Sequence, residues 1–276
     1  SPDSVVEAVI AAVTPRTRLA LVDHVTSPTG VLFPIETLVT ELEQRGVPVL
    51  VDGAHAPGMV DLNIGRLGAS YYTGNCHKWL CAPKGAGFLH VREGRQRGLR
   101  PLVVSHGATA ARADRSRFHL EFDWTGTHDP TPFLCVQTAL DHLGSLLPGG
   151  WNELRSRNHE LAVEAREILC SARGVDPPCP DSMIGSRASV PLPDGEEEPP
   201  PPPILLDPLQ QELWQRHRIE VPVVSWPARP RRLLRISAQL YNTRDQYERL
   251  AVALAKPCGS GSRARSRRRP SARHAP

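Results

Sequence analysis

The sequence predicts an α/β chain: a mainly parallel sheet with covering helices in its first half, then a small α+β part. Two observations carry this. Short apolar runs at 18–25 and 47–53 flank an amphipathic stretch at 34–46, with brief links between them; this strand–helix–strand order builds parallel sheets. After residue 134 the pattern changes to two helical stretches, an acidic and proline-rich run, and two β-like segments.

The opening segment, SPDSVVEAVIAAVTP, reads as a short amphipathic helix. Asp3 or Ser4 is its expected cap, Glu7 stands at capping-box distance from Ser4, and Pro15 follows its end. RLALVDHV at 18–25 is nearly all apolar up to Asp23, as expected of a strand covered on both faces. SPTG at 27–30 is a loop, PIETLVTELEQRG at 34–46 is a helix stopped by Gly46, and VPVLVDG at 47–53 is a second buried strand. Two further short strands are expected at 69–73 and 87–91, either side of the segment holding Lys78. The stretch from about 93 to 134 is polar and irregular.

Helices follow at 131–146 and 152–172, the second with apolar residues at helical spacing. PDGEEEPPPPP at 193–203 cannot pack and reads as an exposed loop. RIEVPVVSW at 218–226 and RRLLRIS at 231–237 are β-like, and TRDQYERLAVALA at 243–255 is a closing helix capped by Thr243.

Composition narrows the class of protein. With 276 residues, 40% of them hydrophobic, the chain has enough apolar content for a sizeable core. Cysteines 76, 81, 135, 170, 179 and 258 are scattered without a CxxC pair, which suits a reduced intracellular protein better than a disulfide scaffold or a zinc module. The net charge of +4 is dominated by six arginines in residues 262–276. That tail reads as a solvated end, so nucleic acid is not the expected partner. No apolar run approaches the ~20 residues of a membrane span, and no leader pattern opens the chain. A soluble, cytoplasmic protein is expected.

The chemistry concentrates between Val51 and Leu89. VDGAHAPG closes a buried strand on Asp52, and YYTGNCHKWLCAPKGAGFL places Lys78 after a histidine, among small and aromatic residues. A carboxylate that keeps a pyridine nitrogen protonated, and a lysine that holds an aldehyde as a Schiff base, are what a pyridoxal-phosphate enzyme needs. In parallel sheets ligands gather at the carboxyl ends of strands, and Asp23, Asp52 and the loop to Lys78 all fall there. Taken singly, Asp52 would be a turn cap and Lys78 a solvated lysine; their ordered combination argues for a site. Cys76 and Cys81 flank Lys78, but no histidine pair at ligand spacing accompanies them, so no metal site is expected.

DHVTSPTG, VDGAHAPG, YTGNCHKWLCAPKGAGFL, WTGTHDP and LRISAQLYNT together resemble the class V aminotransferase family of fold-type I pyridoxal-phosphate enzymes. The wording is most similar to isopenicillin N epimerase-like members, over about residues 5 to 256. The resemblance implies pyridoxal 5'-phosphate as cofactor, held by Lys78 in a Schiff base and by Asp52 at the pyridine nitrogen. It implies His55 near the ring hydroxyl, Ser27 where many relatives have a cofactor-contacting asparagine, and Asn75 and His77 on the phosphate. Thr127 would reach the phosphate of a neighbouring subunit in a homodimer, and Arg235 would clamp the α-carboxylate of an amino-acid substrate.

By the same resemblance, residues 1–134 are part of a cofactor-binding large domain. Residues 135–256 are a small C-terminal domain with its connecting helix and the Pro-rich loop 193–203. The tail at 257–276 matches nothing in the family pattern and reads from its composition as disordered and basic. Family members carry a long segment before the DHVTSPTG strand, where only 22 residues stand here, so an N-terminally truncated chain is expected. The segment leading to Arg235 holds no cysteine, which disfavours a sulfur-accepting desulfurase. Epimerisation at the substrate Cα is the leading expectation. The alternatives are a C–S lyase or aminotransferase of the same family, or an inactive fragment acting as an interaction module.

Overall fold

The computed structural model describes residues 1–198 and 206–255. The five-proline run at 199–203, the basic tail and Cys258 lie outside the described residues.

In chain order the elements are α1 (Pro2–Ala11), β1 (Ala20–Asp23), α2 (Ile35–Gln44), β2 (Val49–Gly53), α3 (Ile64–Leu67), β3 (Tyr71–Asn75) and β4 (Gly87–Val91). They continue with α4 (Glu93–Gln96), α5 (Arg117–Phe122), α6 (Thr131–Ser145), α7 (Gly150–Arg173), β5 (Arg187–Leu192) and α8 (Pro208–His217). The last are β6 (Val223–Ser225), β7 (Arg232–Ser237) and α9 (Arg244–Ala255).

The first sheet has the order β1-β2-β3-β4, with β1, β2 and β3 parallel and β4 antiparallel to β3. Alternation along β2 sends Val49, Val51 and Gly53 to one face and Leu50 and Asp52 to the other. The first face packs on α1 and α2 through Val22, Leu38, Leu42, Val49, Val51 and Tyr72. β1 departs from the expectation of a strand covered on both faces. It lies at the end of the strand order, and Leu21 is 67% exposed on the face away from α1 and α2. A run of apolar letters reports hydrophobicity, not which face finds a partner.

The N-terminal cap also differs from the expectation. Ser1, not Asp3 or Ser4, caps α1, and Ser1 and Ser4 form the capping box. A hydroxyl can replace the carboxylate of such a box because its oxygen too accepts from the cap's backbone nitrogen, here Ser1 N to Ser4 Oγ at 3.0 Å. The stretch 93–134 holds two short helices, α4 and α5, where irregular chain was expected.

The second sheet, β5-β7-β6, is antiparallel. One face is closed by α7 and α9 around Leu169, Val190, Leu234, Ile236 and Leu250, forming a separate core. The fold is that of a fold-type I large-domain portion followed by a small α+β unit. Neither β5 nor α8 was expected from the sequence, and β5 proves central to the site. The helix α6 runs across the boundary expected at residues 134 and 135. It packs through Val136, Ala139 and Leu140 against Cys76, Leu80, Ala82 and Ala86, the loop that carries Lys78.

Candidate active site

Two parallel strands deliver the acidic side of the site. Asp23 and Asp52 are register partners at the carboxyl ends of β1 and β2, so both side chains project from the same sheet face. Burial, then the charge of Asp52, raises the pKa of Asp23. Asp52 Oδ1 accepts from the Ala54 amide at 2.9 Å, which turns the chain sharply into the VDGAHAPG loop.

That loop and the lysine loop are pressed together by a glycine. Gly58 has φ of +85°, and a Cβ there would lie 2.6 Å from the Trp79 carbonyl oxygen. Only glycine suits both the backbone angle and this approach. The consequence is a compact cluster. His55 Nε2 is 3.3 Å from Lys78 Nζ, and His55 Nδ1 is 3.4 Å from the Trp79 indole nitrogen. Lys78 is half-buried, and its pKa is lowered by burial and by the charges of Arg187 and Arg235, against the opposing pull of Asp52. His55 is pushed down to about 3 by burial, then by Arg187, Lys78 and Arg235. It stays a neutral imidazole throughout the physiological range.

The small sheet supplies the cationic wall. β5 and β7 pair so that Arg187 faces Ser237 and Ser189 faces Arg235, and the two-residue period puts both arginines on one face. Arg187 Nη1 reaches His55 Nδ1 at 3.0 Å, and its Nη2 donates to the Ser27 carbonyl at 2.9 Å. Arg235 Nη1 donates to the same carbonyl, while its buried Nε has no partner among the described residues. Burial, then the neighbouring Arg235 charge, lowers Arg187 to about 10. Burial also lowers Arg235.

The structure thus brings together Asp52, His55, Lys78 and Arg235 from the expected set, with the backbone of Ser27. The Ser27 side chain itself is exposed. His77 lies beside the cluster, its Nδ1 donating to the Ala86 carbonyl at 3.0 Å, and Asn75 ends β3 next to it. Thr127 is exposed in the loop before α6, and among the described residues no hydrogen bond joins it to Asn75, His77 or Lys78. His24 is buried with its Nδ1 2.8 Å from the Tyr72 hydroxyl, a structural contact on the opposite sheet face from Asp52. The sequence reading missed Arg187. Its local signal, an arginine in the short run RASVPL, looks like a surface residue, and only the pairing of β5 with β7 turns it inward.

Among the described residues, no group of three or more His, Cys, Asp or Glu is placed to hold a metal ion, and no helix is long and apolar enough to cross a membrane. A small sheet whose two arginines close over a lysine and an aspartate at the strand ends of a parallel sheet defines a fold-type I cofactor-enzyme architecture. The model of the family described as "Aminotransferase class-V" matches residues 3–198, and the chain belongs to that family. It is 42% identical to an isopenicillin N epimerase of Amycolatopsis lactamdurans, over 92% of this chain and 63% of that protein. It is 34% identical to a probable chloroplastic L-cysteine desulfhydrase of Arabidopsis thaliana, over 87% of this chain and 50% of that protein. Among solved structures, a cysteine desulfurase from Thermococcus onnurineus NA1 superposes with a TM-score of 0.67 at 20% identity, covering 86% of this chain and 59% of that one. The chain spans at most about 63% of the length of these relatives.

Proposed function

We propose that this chain functions as a pyridoxal-phosphate enzyme that acts at the Cα of an amino-acid substrate, most simply as an epimerase. The observation that carries the reading is the contact of Lys78 with His55, at the strand ends beside Asp52 and beneath Arg187 and Arg235.

The donor set fits the cofactor. Asp52 has one carboxylate oxygen engaged by the Ala54 amide and a second available to accept from a protonated ring nitrogen. Lys78 offers an amine whose protonation is disfavoured by burial, suited to hold an aldehyde. His55 would lie near the ring hydroxyl, with Asn75, His77 and, from a second subunit, Thr127 on the phosphate; Ser27 would line the same pocket. When bound, the cofactor acts as an electron sink for negative charge at the substrate Cα.

The residues of this chain then have distinct tasks. Arg235 binds the α-carboxylate, its planar fork matching two oxygens. Lys78 takes a proton from Cα or returns one on its face of the substrate. Trp79 and the small-sheet face limit water access. A homodimer sharing its sites, located in the cytoplasm, completes the proposal.

A C–S lyase is the second reading, favoured by the 34% identity to a cysteine desulfhydrase. Both are tested by incubating the protein with pyridoxal phosphate, reducing with borohydride and mapping the label. The chain has three lysines, Lys78, Lys84 and Lys256, so the result is unambiguous. Label on Lys78 is expected; label confined to Lys84 or Lys256 would sink the assignment. Exchange of the Cα proton with inversion then indicates an epimerase, and release of pyruvate from cysteine a lyase. A folded protein that takes no label would instead indicate an interaction module.

A further inference from the structure

We propose that Arg187 is a positioning residue for Lys78: it fixes His55 in the tautomer whose Nε2–H points at the lysine nitrogen. The inference rests on reading Lys78 as the functional lysine, while its geometry concerns this chain's own residues.

The argument is one of donors and acceptors. Guanidinium and indole N–H groups donate and never accept. His55 Nδ1 meets both kinds, Arg187 Nη1 at 3.0 Å and Trp79 Nε1 at 3.4 Å, so it must be the acceptor. In a neutral imidazole the single proton then sits on Nε2. Nε2 is 3.3 Å from Lys78 Nζ, and an N–H directed there needs a lone pair. An ammonium has none; the free amine has one. Arg187 therefore opposes the alternative that would tolerate a charged lysine at this contact, the Nδ1–H tautomer with Nε2 accepting from the ammonium.

Arg187 is built to hold this place. It is 2% exposed, and among the described residues it makes no ion pair with a carboxylate. Its Nη2 is anchored on the Ser27 carbonyl at 2.9 Å, and Gly30 leaves room against its Cβ. Arg235 bears the same charge but reaches Ser27 rather than His55, so charge alone would not select the tautomer. The groups facing Lys78 are Asp52, which favours its ammonium, and His55, Arg187 and Arg235, of which the two arginines oppose it together with burial. Their net effect with burial is to lower the Lys78 pKa from its ordinary value, the same direction as the hydrogen-bond logic.

The test uses the full chain without cofactor, labelled with ¹⁵N-histidine, with His55 assigned by its loss in His55→Gln. Long-range ¹H–¹⁵N correlation should show His55 neutral with the proton on Nε2 between about pH 5 and 8. In Arg187→Met the tautomers should mix, and acetylation of Lys78 relative to Lys84 at fixed pH should fall about tenfold, as for a rise of about one pKa unit. An Nδ1–H tautomer in the unsubstituted protein overturns the proposal whether or not any variant folds. So does a folded Arg187→Met that keeps both the tautomer and the Lys78 to Lys84 ratio, even if its melting temperature drops. Borohydride label away from Lys78, with the Nε2–H tautomer intact, would count against the proposed function and leave this assignment standing.

Discussion

His24 and Tyr72 share a buried hydrogen bond of 2.8 Å, with their rings edge to face at 86°, on the sheet face opposite Asp52. The pair locks β1 to β3 across the back of β2. It also makes His24 costly to protonate: burial, partly offset by Glu36, lowers its pKa from 6.5 to about 4.

This contact predicts acid sensitivity of a definite sign. The unfolded chain binds a proton at His24 near pH 6.5, and the folded chain does so only near pH 4. The contribution is therefore complete above about pH 6.5 and lost as pH falls towards 4, on the order of 3 kcal/mol in all. His55, down at about 3, adds in the same direction. Urea denaturation from pH 7 to 4 should show the decline, and His24→Asn should be weaker at pH 7 yet decline less steeply. An unchanged slope in the variant would refute the assignment.

Gly53 should not tolerate a methyl group. A Cβ there would run into the Tyr72 ring and hydroxyl, and neither can retreat without breaking the bond to His24. Gly53→Ala should lose about 1–3 kcal/mol by overpacking. Gly65→Ala, where a Cβ meets only the Asn63 side chain at 3.6 Å, should be neutral or slightly stabilising in thermal melts.

Asp52→Asn tests charge separately from shape. The amide oxygen can still accept from Ala54, so the loop should keep its turn, but the negative charge is gone. Pyridoxal-phosphate affinity, read by dialysis and absorbance, should fall about ten- to a hundredfold, the range for a charged hydrogen bond. Retained affinity would remove Asp52 from the cofactor's partners.

The small sheet has its own core, so its stability can be tested away from the site. Leu234 on β7 is fully buried between β5, β6 and the α7 and α9 layer. Leu234→Ala should cost about 2–5 kcal/mol while leaving Lys78 labelling of the folded protein unchanged. A smaller loss would mean the layer collapses into the vacated space.

Part of this organisation is legible in the sequence. The apolar runs ending in Asp23 and Asp52, the helix between them and the loop to Lys78 are local patterns, and each formed within a few residues of where the periodicity put it. Antiparallel β4 and exposed Leu21 were not legible, because strand order and the covering of faces depend on contacts far apart in the chain. The cap was misread because Ser1 and Ser4 compete with Asp3 on equal local terms.

The sequence by itself determined which residues stand at these places: an aspartate near the end of β2, a lysine after β3, and an arginine in the LRIS segment on β7. Only the tertiary structure decided that a second arginine, Arg187, belongs with them. Its bond to His55 spans 132 residues, and it exists because β5 pairs with β7 and the pair lies against the loop after β1. An isolated stretch of sequence gives an arginine its usual place in water. Burying it takes a sheet face, two acceptors and the rest of the fold to hold them.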